Sequence, residues 1–234
     1  MRGPEPHPRE IRSFVRREGR MTESQKRALE DLWPKYGVEA PAEFRGHESF
    51  LRSVFGRDAP VAMEIGFGNG DHLLARAQAE PQRDFFGVEV HRPGVGRVLN
   101  RAHAAGLSNL RVAAHDAVEV LRDWLPEASL AEVIVYFPDP WHKKRHHKRR
   151  IVQPAFAALV ASRLVAGGLF KLATDWAPYA EHMRATLDVA PPFENCAGAA
   201  GFMPRPDERP LTRFEARGQR LGHDVFDLAY RRVG

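Results

Sequence analysis

Acidic residues recur along this chain at intervals that suit binding of a nucleoside with a cationic tail. Glu64 stands two residues before Gly66-Phe67-Gly68-Asn69-Gly70, a turn whose glycines let a ligand approach the backbone. A dinucleotide-binding fingerprint needs its third glycine at position 71, and that position is Asp71. Carboxylates beside such a turn attract ammonium or sulfonium groups and repel a pyrophosphate. Glu89 closes the next apolar run, Gly87-Val88-Glu89-Val90, where a carboxylate accepts two ribose hydroxyls. Asp116, in His115-Asp116-Ala117, can accept an adenine amino group, cap the helix that follows, or do both.

A second group of residues points to a polyanion. Phe137-Pro138-Asp139-Pro140-Trp141-His142 is followed by a run in which every residue from Lys143 to Arg150 is basic or histidine. Lys143, Lys144, Arg145, Lys148, Arg149 and Arg150, with His146 and His147, can neutralise and position phosphates. Trp141 offers a stacking face for an extruded base. His142, His146 and His147 make a poor zinc site, because cations surround them and no cysteine is near, so no metal is expected. Asp175-Trp176 adds another acid and aromatic pair. Glu215, within Thr212-Arg213-Phe214-Glu215, reads either as a surface helix residue or as an acceptor beside a base such as guanine, whose N1–H and amino group are donors.

These residues sit at the ends of regularly spaced elements. Strand-like runs at 61–67, 84–90, 110–116, 131–137 and 168–175 alternate with helical stretches near 71–79, 93–105, 117–124, 152–165 and 177–188. The alternation predicts βαβ crossovers and a doubly wound, mostly parallel α/β sheet, whose ligand lies beyond the carboxyl ends of the strands. The alternating run from Asp224 to Tyr230 predicts a final antiparallel strand at the sheet edge. Before the sheet, Thr22 and Gln25 form a capping box for a helix that Pro34 should stop. Residues 1–20, rich in Pro, Arg and Glu, read as a basic arm that stays flexible without its partner, and 21–234 as one domain.

The formal charge of +5 agrees with a polyanionic partner, and its concentration in the arm and the central run matters more than the sum. Cys196 is the only cysteine, so no internal disulfide forms and a reducing cytoplasm is the expected setting. No apolar run is long enough to span a membrane, and no secretory signal is expected at the start. Monomer and homodimer both remain open.

Taken together, an acid two places before G-x-G-x-G resembles the first motif of the class I S-adenosylmethionine-dependent methyltransferases. The longer chain of motifs is similar to the bacterial tRNA (guanine-N7)-methyltransferase family. The likeness runs from Ile11-Arg12-Ser13-Phe14 through Glu64 to Asp71, Glu89 to Gly94, Phe137 to Arg150 and Thr174-Asp175-Trp176. It continues in Thr212 to Glu215 and Leu221-Gly222-His223 and extends to about Arg232, nearly the whole chain. The resemblance implies a Rossmann-like methyltransferase fold and methyl transfer to N7 of a guanosine in the tRNA variable loop. It further implies that Glu64, Gly66, Gly68, Gly70, Glu89, Asp116, Ala117 and Asp139 surround S-adenosylmethionine, with Asp139 catalytic. Lys143, Asp175 and Thr212, Arg213, Phe214 and Glu215 would contact the tRNA substrate, and Arg145 to Arg150 its backbone.

Three other readings use part of this pattern. Methyltransferases acting on exocyclic amines place an Asp or Asn before Pro-Pro-aromatic, an order that Pro138-Asp139-Pro140-Trp141 breaks. A nicotinamide-dependent oxidoreductase shares Glu89 but leaves Asp71 and the basic run unexplained. A non-enzymatic RNA-binding module explains the charge but not the row of strand-end acids.

Overall fold

The computed structural model describes residues 13–14, 19–41, 50–207, 209–210 and 224–234. Among these described residues seven strands form one sheet: β1 (Val61–Ile65), β2 (Asp84–Val88), β3 (Leu110–Ala113), β4 (Leu130–Tyr136), β5 (Leu164–Thr174), β6 (Phe193–Asn195) and β7 (Phe226–Arg232). Their spatial order is β3-β2-β1-β4-β5-β7-β6. β1 to β5 are mutually parallel, and β7 runs antiparallel to both β5 and β6. The strand order reverses between β1 and β4, which opens a crevice at their carboxyl ends.

Helices cover both faces. Among the described residues the α-helices are α1 (Glu23–Asp31), α2 (Trp33–Tyr36), α3 (Phe50–Phe55), α4 (Asp71–Ala79), α5 (Arg92–Ala104), α6 (Ala117–Glu119), α7 (Pro154–Arg163) and α8 (Ala177–Leu187). Every residue of β1 is buried, and its neighbours Ala62 and Met63 belong to opposite cores. Ala62 packs with α1, α4 and α5 through Ala28, Leu73 and Val98, whereas Met63 packs with α7 and α8 through Val160 and Met183. Near-continuous apolar strands are what a sheet buried on both faces requires.

Several boundaries differ from the sequence expectation for physical reasons. Thr22 Oγ1 accepts from Gln25 N and Gln25 Oε1 accepts from Thr22 N, so the capping box forms. Pro34, however, does not end that helix. It occupies the first turn of α2, where its missing N–H has no helical partner to lose. The segment after Ala117 passes from α6 into a π-helical turn, Val120–Trp124. The last strand is antiparallel as anticipated, but its outer side is covered by β6, which is too short to leave a periodic signal. The expected arm over residues 1–20 lies outside the described residues except for Ser13, Phe14, Gly19 and Arg20.

A charged cluster sits under the sheet on the α4 side. Glu132 of β4 is buried and takes Arg76 Nη1 and Nη2 of α4 at 2.9 and 3.0 Å, with Lys171 Nζ of β5 at 2.9 Å. Burial alone would raise its carboxyl. The hydrogen bonds and charges of Arg76 and Lys171 outweigh that and hold it down at about 2. The cluster ties β4 and β5 to α4.

Candidate active site

The carboxyl ends of β1, β2 and β4 enclose a cleft of about 240 Å³. Its apolar walls come from Ile65, Val88, Val135 and Ile151, and its polar groups from Glu89, Asp116 and Asp139. Glu89 is held rigidly: Oε2 accepts from Gly68 N at 2.9 Å and Oε1 from His91 N at 2.9 Å. One carboxylate thereby joins the glycine-rich turn to the start of α5. Asp116 accepts from Val118 N at 2.9 Å as the N-cap of α6 and also lines the cleft, with Ala117 beside it. Its capping and ligand-facing readings are therefore compatible.

Gly66 also lines the cleft. Its φ of +71° disfavours any side chain, yet a Cβ there would meet nothing within 4 Å, so the turn leaves open space on the ligand side. Gly70 has a different reason. At φ +75° it caps α4, and a Cβ there would lie 2.2 Å from Val98 Cγ2.

A loop from Phe137 to Trp141 carries Asp139. Both ends of it adopt left-handed backbone, Phe137 at φ +51° and Trp141 at φ +48°, which costs a side-chain-bearing residue roughly 1–2 kcal/mol each. Packing holds this strain in place. Phe137 N donates to Ala173 O at 2.8 Å, Trp141 Nε1 to Ser13 O at 3.1 Å, and Arg150 Nε to Pro140 O at 2.9 Å. The buried Arg209 lies over the rings of Tyr136 and Phe137 and pairs with Asp227 at 2.8 Å. Pro138 and Pro140 fix φ on either side of Asp139. The result is an exposed acid at a fixed position, shared by the inner cleft and an adjoining hollow of about 580 Å³.

The outer hollow is bounded by Trp141, His142, Lys143 and His146. Lys143, Arg145 and Lys148 are exposed. His146 is held below its ordinary value by partial desolvation and then by the charges of Arg145, Arg149, Lys143 and Lys148. Arg149 stacks over Trp141. Arg150 does not fit the expected role in RNA contact. It is 4% exposed, bonds Pro140 O, meets His147 Nε2 at 3.1 Å and lies over the Tyr179 ring. Its job is to brace the loop, and His147 shares in that brace.

Asp175 is exposed at the end of β5, and Trp176 beside it meets the His142 ring edge-on at 4.5 Å. Thr212, Arg213, Phe214 and Glu215 lie outside the described residues. Glu64 stands apart from the other acids. It is not a wall of either hollow, and its Oε2 faces His72 Nδ1 at 2.7 Å in a buried pair. His72, Tyr136 and Arg209 all support the site, and no sequence motif marks them. Their placement depends on which face of the sheet each meets. Among the described residues no group of three or more His, Cys, Asp or Glu is arranged to hold a metal ion, and no helix is long and apolar enough to cross a membrane.

The sheet order, the strand-end acids and the glycine-rich turn together define a Rossmann-like methyltransferase. Solved structures share this fold. A 16S rRNA methyltransferase, KamB, superposes with a TM-score of 0.59 at 16% identity over 84% of this chain and 99% of that one. A 16S rRNA (adenine(1408)-N(1))-methyltransferase from Catenulisporales acidiphilia, solved with cosubstrate SAM, gives a TM-score of 0.55 at 16% identity, covering 82% of this chain and 93% of that one. Residues 58–228 match the family model described as "Putative methyltransferase". The chain is 58% identical to the tRNA (guanine-N(7)-)-methyltransferase of Halorhodospira halophila, over 96% of each protein. It is 55% identical to that of Edwardsiella ictaluri, over 96% of this chain and 93% of that one. The chain belongs to the tRNA (guanine-N(7)-)-methyltransferase family.

Proposed function

We propose that this protein transfers a methyl group from S-adenosylmethionine to N7 of a guanosine in the variable loop of tRNA, in the cytoplasm. One observation carries the reading beyond family membership: a carboxylate-lined, nucleoside-sized cleft opens into a hollow rimmed by cations, and Asp139 belongs to both. The donor set fits this cofactor. Apolar walls suit an adenosine, and Glu89 is positioned to accept ribose hydroxyls. Asp116 uses one oxygen as a cap and retains the other for an adenine amino group. The open space beside Gly66 admits a ligand against the backbone.

When bound, S-adenosylmethionine supplies an electrophilic methyl group on a sulfonium. Guanine N7 has an available lone pair at neutral pH, so no side chain needs to remove a proton first. The chain's contribution is alignment, which well-ordered sites make worth roughly 7–11 kcal/mol, and the placement of charge. Asp139 faces the positive charge that develops on the imidazole ring of the base. Lys143, a wall of the outer hollow, approaches the acceptor, Asp175 contacts the tRNA from the end of β5, and the exposed Arg145 and Lys148 take phosphates. The guanosine reaches this site by partial extrusion from the folded tRNA.

The test is transfer of labelled methyl from S-adenosylmethionine to unmodified tRNA transcripts, with nucleoside analysis of the product. N7-methylguanosine is the expected product. A nucleoside methylated on an exocyclic amine would assign the chain a different acceptor chemistry.

A further inference from the structure

His72, the second residue of α4, is 5% exposed, among apolar neighbours Leu73, Leu74 and Ala77 on the same helix. A residue needed only to fill that space would be apolar. Instead its Nδ1 lies 2.7 Å from Glu64 Oε2, and Glu64 is itself 5% exposed. A carboxylate so deeply buried requires a donor, and the imidazole Nδ1–H supplies it. The bond spans the base of the Gly66–Gly70 turn, tying the end of β1 to the first turn of α4. The other ring nitrogen, Nε2, is buried without a hydrogen-bond partner among the described residues. That arrangement carries a desolvation cost, and it is retained beside the cleft. The ring also meets Tyr136 edge-on, with centroids 4.9 Å apart. Tyr136 lines the cleft and directly precedes the left-handed Phe137 that begins the Asp139 loop. A single side chain thus touches the acid before the glycine-rich turn and the strand end that carries the acceptor loop.

We infer that His72 is a positioning residue for the methyl donor, holding the Glu64 carboxylate and the glycine-rich turn in the arrangement that receives S-adenosylmethionine. The inference rests on the methyl-transfer reading above. His72→Phe keeps a ring of similar size and removes the donor to Glu64. The expected result is at least a tenfold rise in both Kd and KM for S-adenosylmethionine. Meanwhile kcat at saturating cofactor and KM for tRNA stay within twofold. His72→Asn places an amide nitrogen near the Nδ1 position and recovers most of the affinity, a rescue that a purely space-filling role does not predict. His72→Ala, which admits water to Glu64 and serves where the Phe variant does not fold, shows the same loss as His72→Phe. Wild-type Kd values for S-adenosylmethionine in folded His72→Phe or His72→Ala protein would overturn the inference. Failure of the unaltered protein to bind S-adenosylmethionine would overturn the underlying reading instead.

Discussion

Arg149 lies over Trp141, with its guanidinium carbon 4.9 Å from the ring centroid. One face of Trp141, the ring expected to stack on a flipped base, therefore already carries a cation. Immediately after it, Arg150 turns inward to Pro140 O and the Tyr179 ring. The basic run is thus divided, with its middle facing solvent and its end built into the loop that fixes Asp139.

That division predicts two different outcomes from similar substitutions. Replacing Arg145 and Lys148 together with Ala should reduce the slope of log Kd for tRNA against log salt by about 1 for each phosphate left without its cation. Arg150→Ala should leave the slope unchanged and destabilise the fold by roughly 1–3 kcal/mol, because the half-buried Pro140 carbonyl loses its donor and the buried guanidinium its packing. Salt titrations of tRNA binding and thermal melts separate the two. An unaltered slope in the Arg145 and Lys148 double variant would show that this face does not meet RNA.

Asp139→Ala should lower kcat by about 100- to 1000-fold, the range seen when one preorganised electrostatic group is removed. S-adenosylmethionine affinity should fall far less, since Glu89 and Asp116 remain in the cleft. Single-turnover rates alongside equilibrium binding make the comparison. Normal kcat would remove Asp139 from the chemistry.

Glu89→Ala should show the opposite balance. Hydrogen bonds to a charged group are worth about 1.5–3 kcal/mol, so cofactor binding should weaken about 10- to 100-fold. The glycine-rich turn also loses the acceptor for Gly68 N. Calorimetric titration with S-adenosylmethionine reads this directly, and unchanged affinity would exclude Glu89 from the ribose site.

Glu132 makes stability depend on pH. Its carboxyl titrates at about 2 in the fold against an ordinary 4.5, so the unfolded chain binds the proton more readily. The associated stability is present above pH 4.5 and is lost as pH falls toward about 2. Urea midpoints measured across that interval should fall in the wild type and fall less steeply in Glu132→Gln. Removing the charge should also cost about 3–5 kcal/mol near neutrality, because Arg76 and Lys171 then face each other without it. Parallel pH profiles for the two proteins would contradict this assignment.

How much of this was legible beforehand follows from the kind of signal each residue leaves. Glu89 and Asp116 were readable because strand-end acids after apolar runs follow from the topology of a parallel sheet, whereas Asp139 was singled out through resemblance. The structure gathers all three around one cleft. Glu64 was readable as an acid before a turn, but its burial against His72 was not, since an isolated histidine on an amphipathic helix carries no mark of its partner. Arg150 looked like its basic neighbours because burial is a property of the packed loop and not of the run. β6 escaped notice for want of length. The Thr212 to Glu215 segment was identified through resemblance alone and lies outside the described residues.

The most direct test of the central claim is the site of modification within the RNA. Unmodified tRNA transcript, treated with the protein and S-adenosylmethionine, should become sensitive to borohydride and aniline at one guanosine of the variable loop. A transcript with that guanosine changed to adenosine should remain intact. Methyl incorporation without strand scission, or scission at guanosines elsewhere in the molecule, would contradict the account.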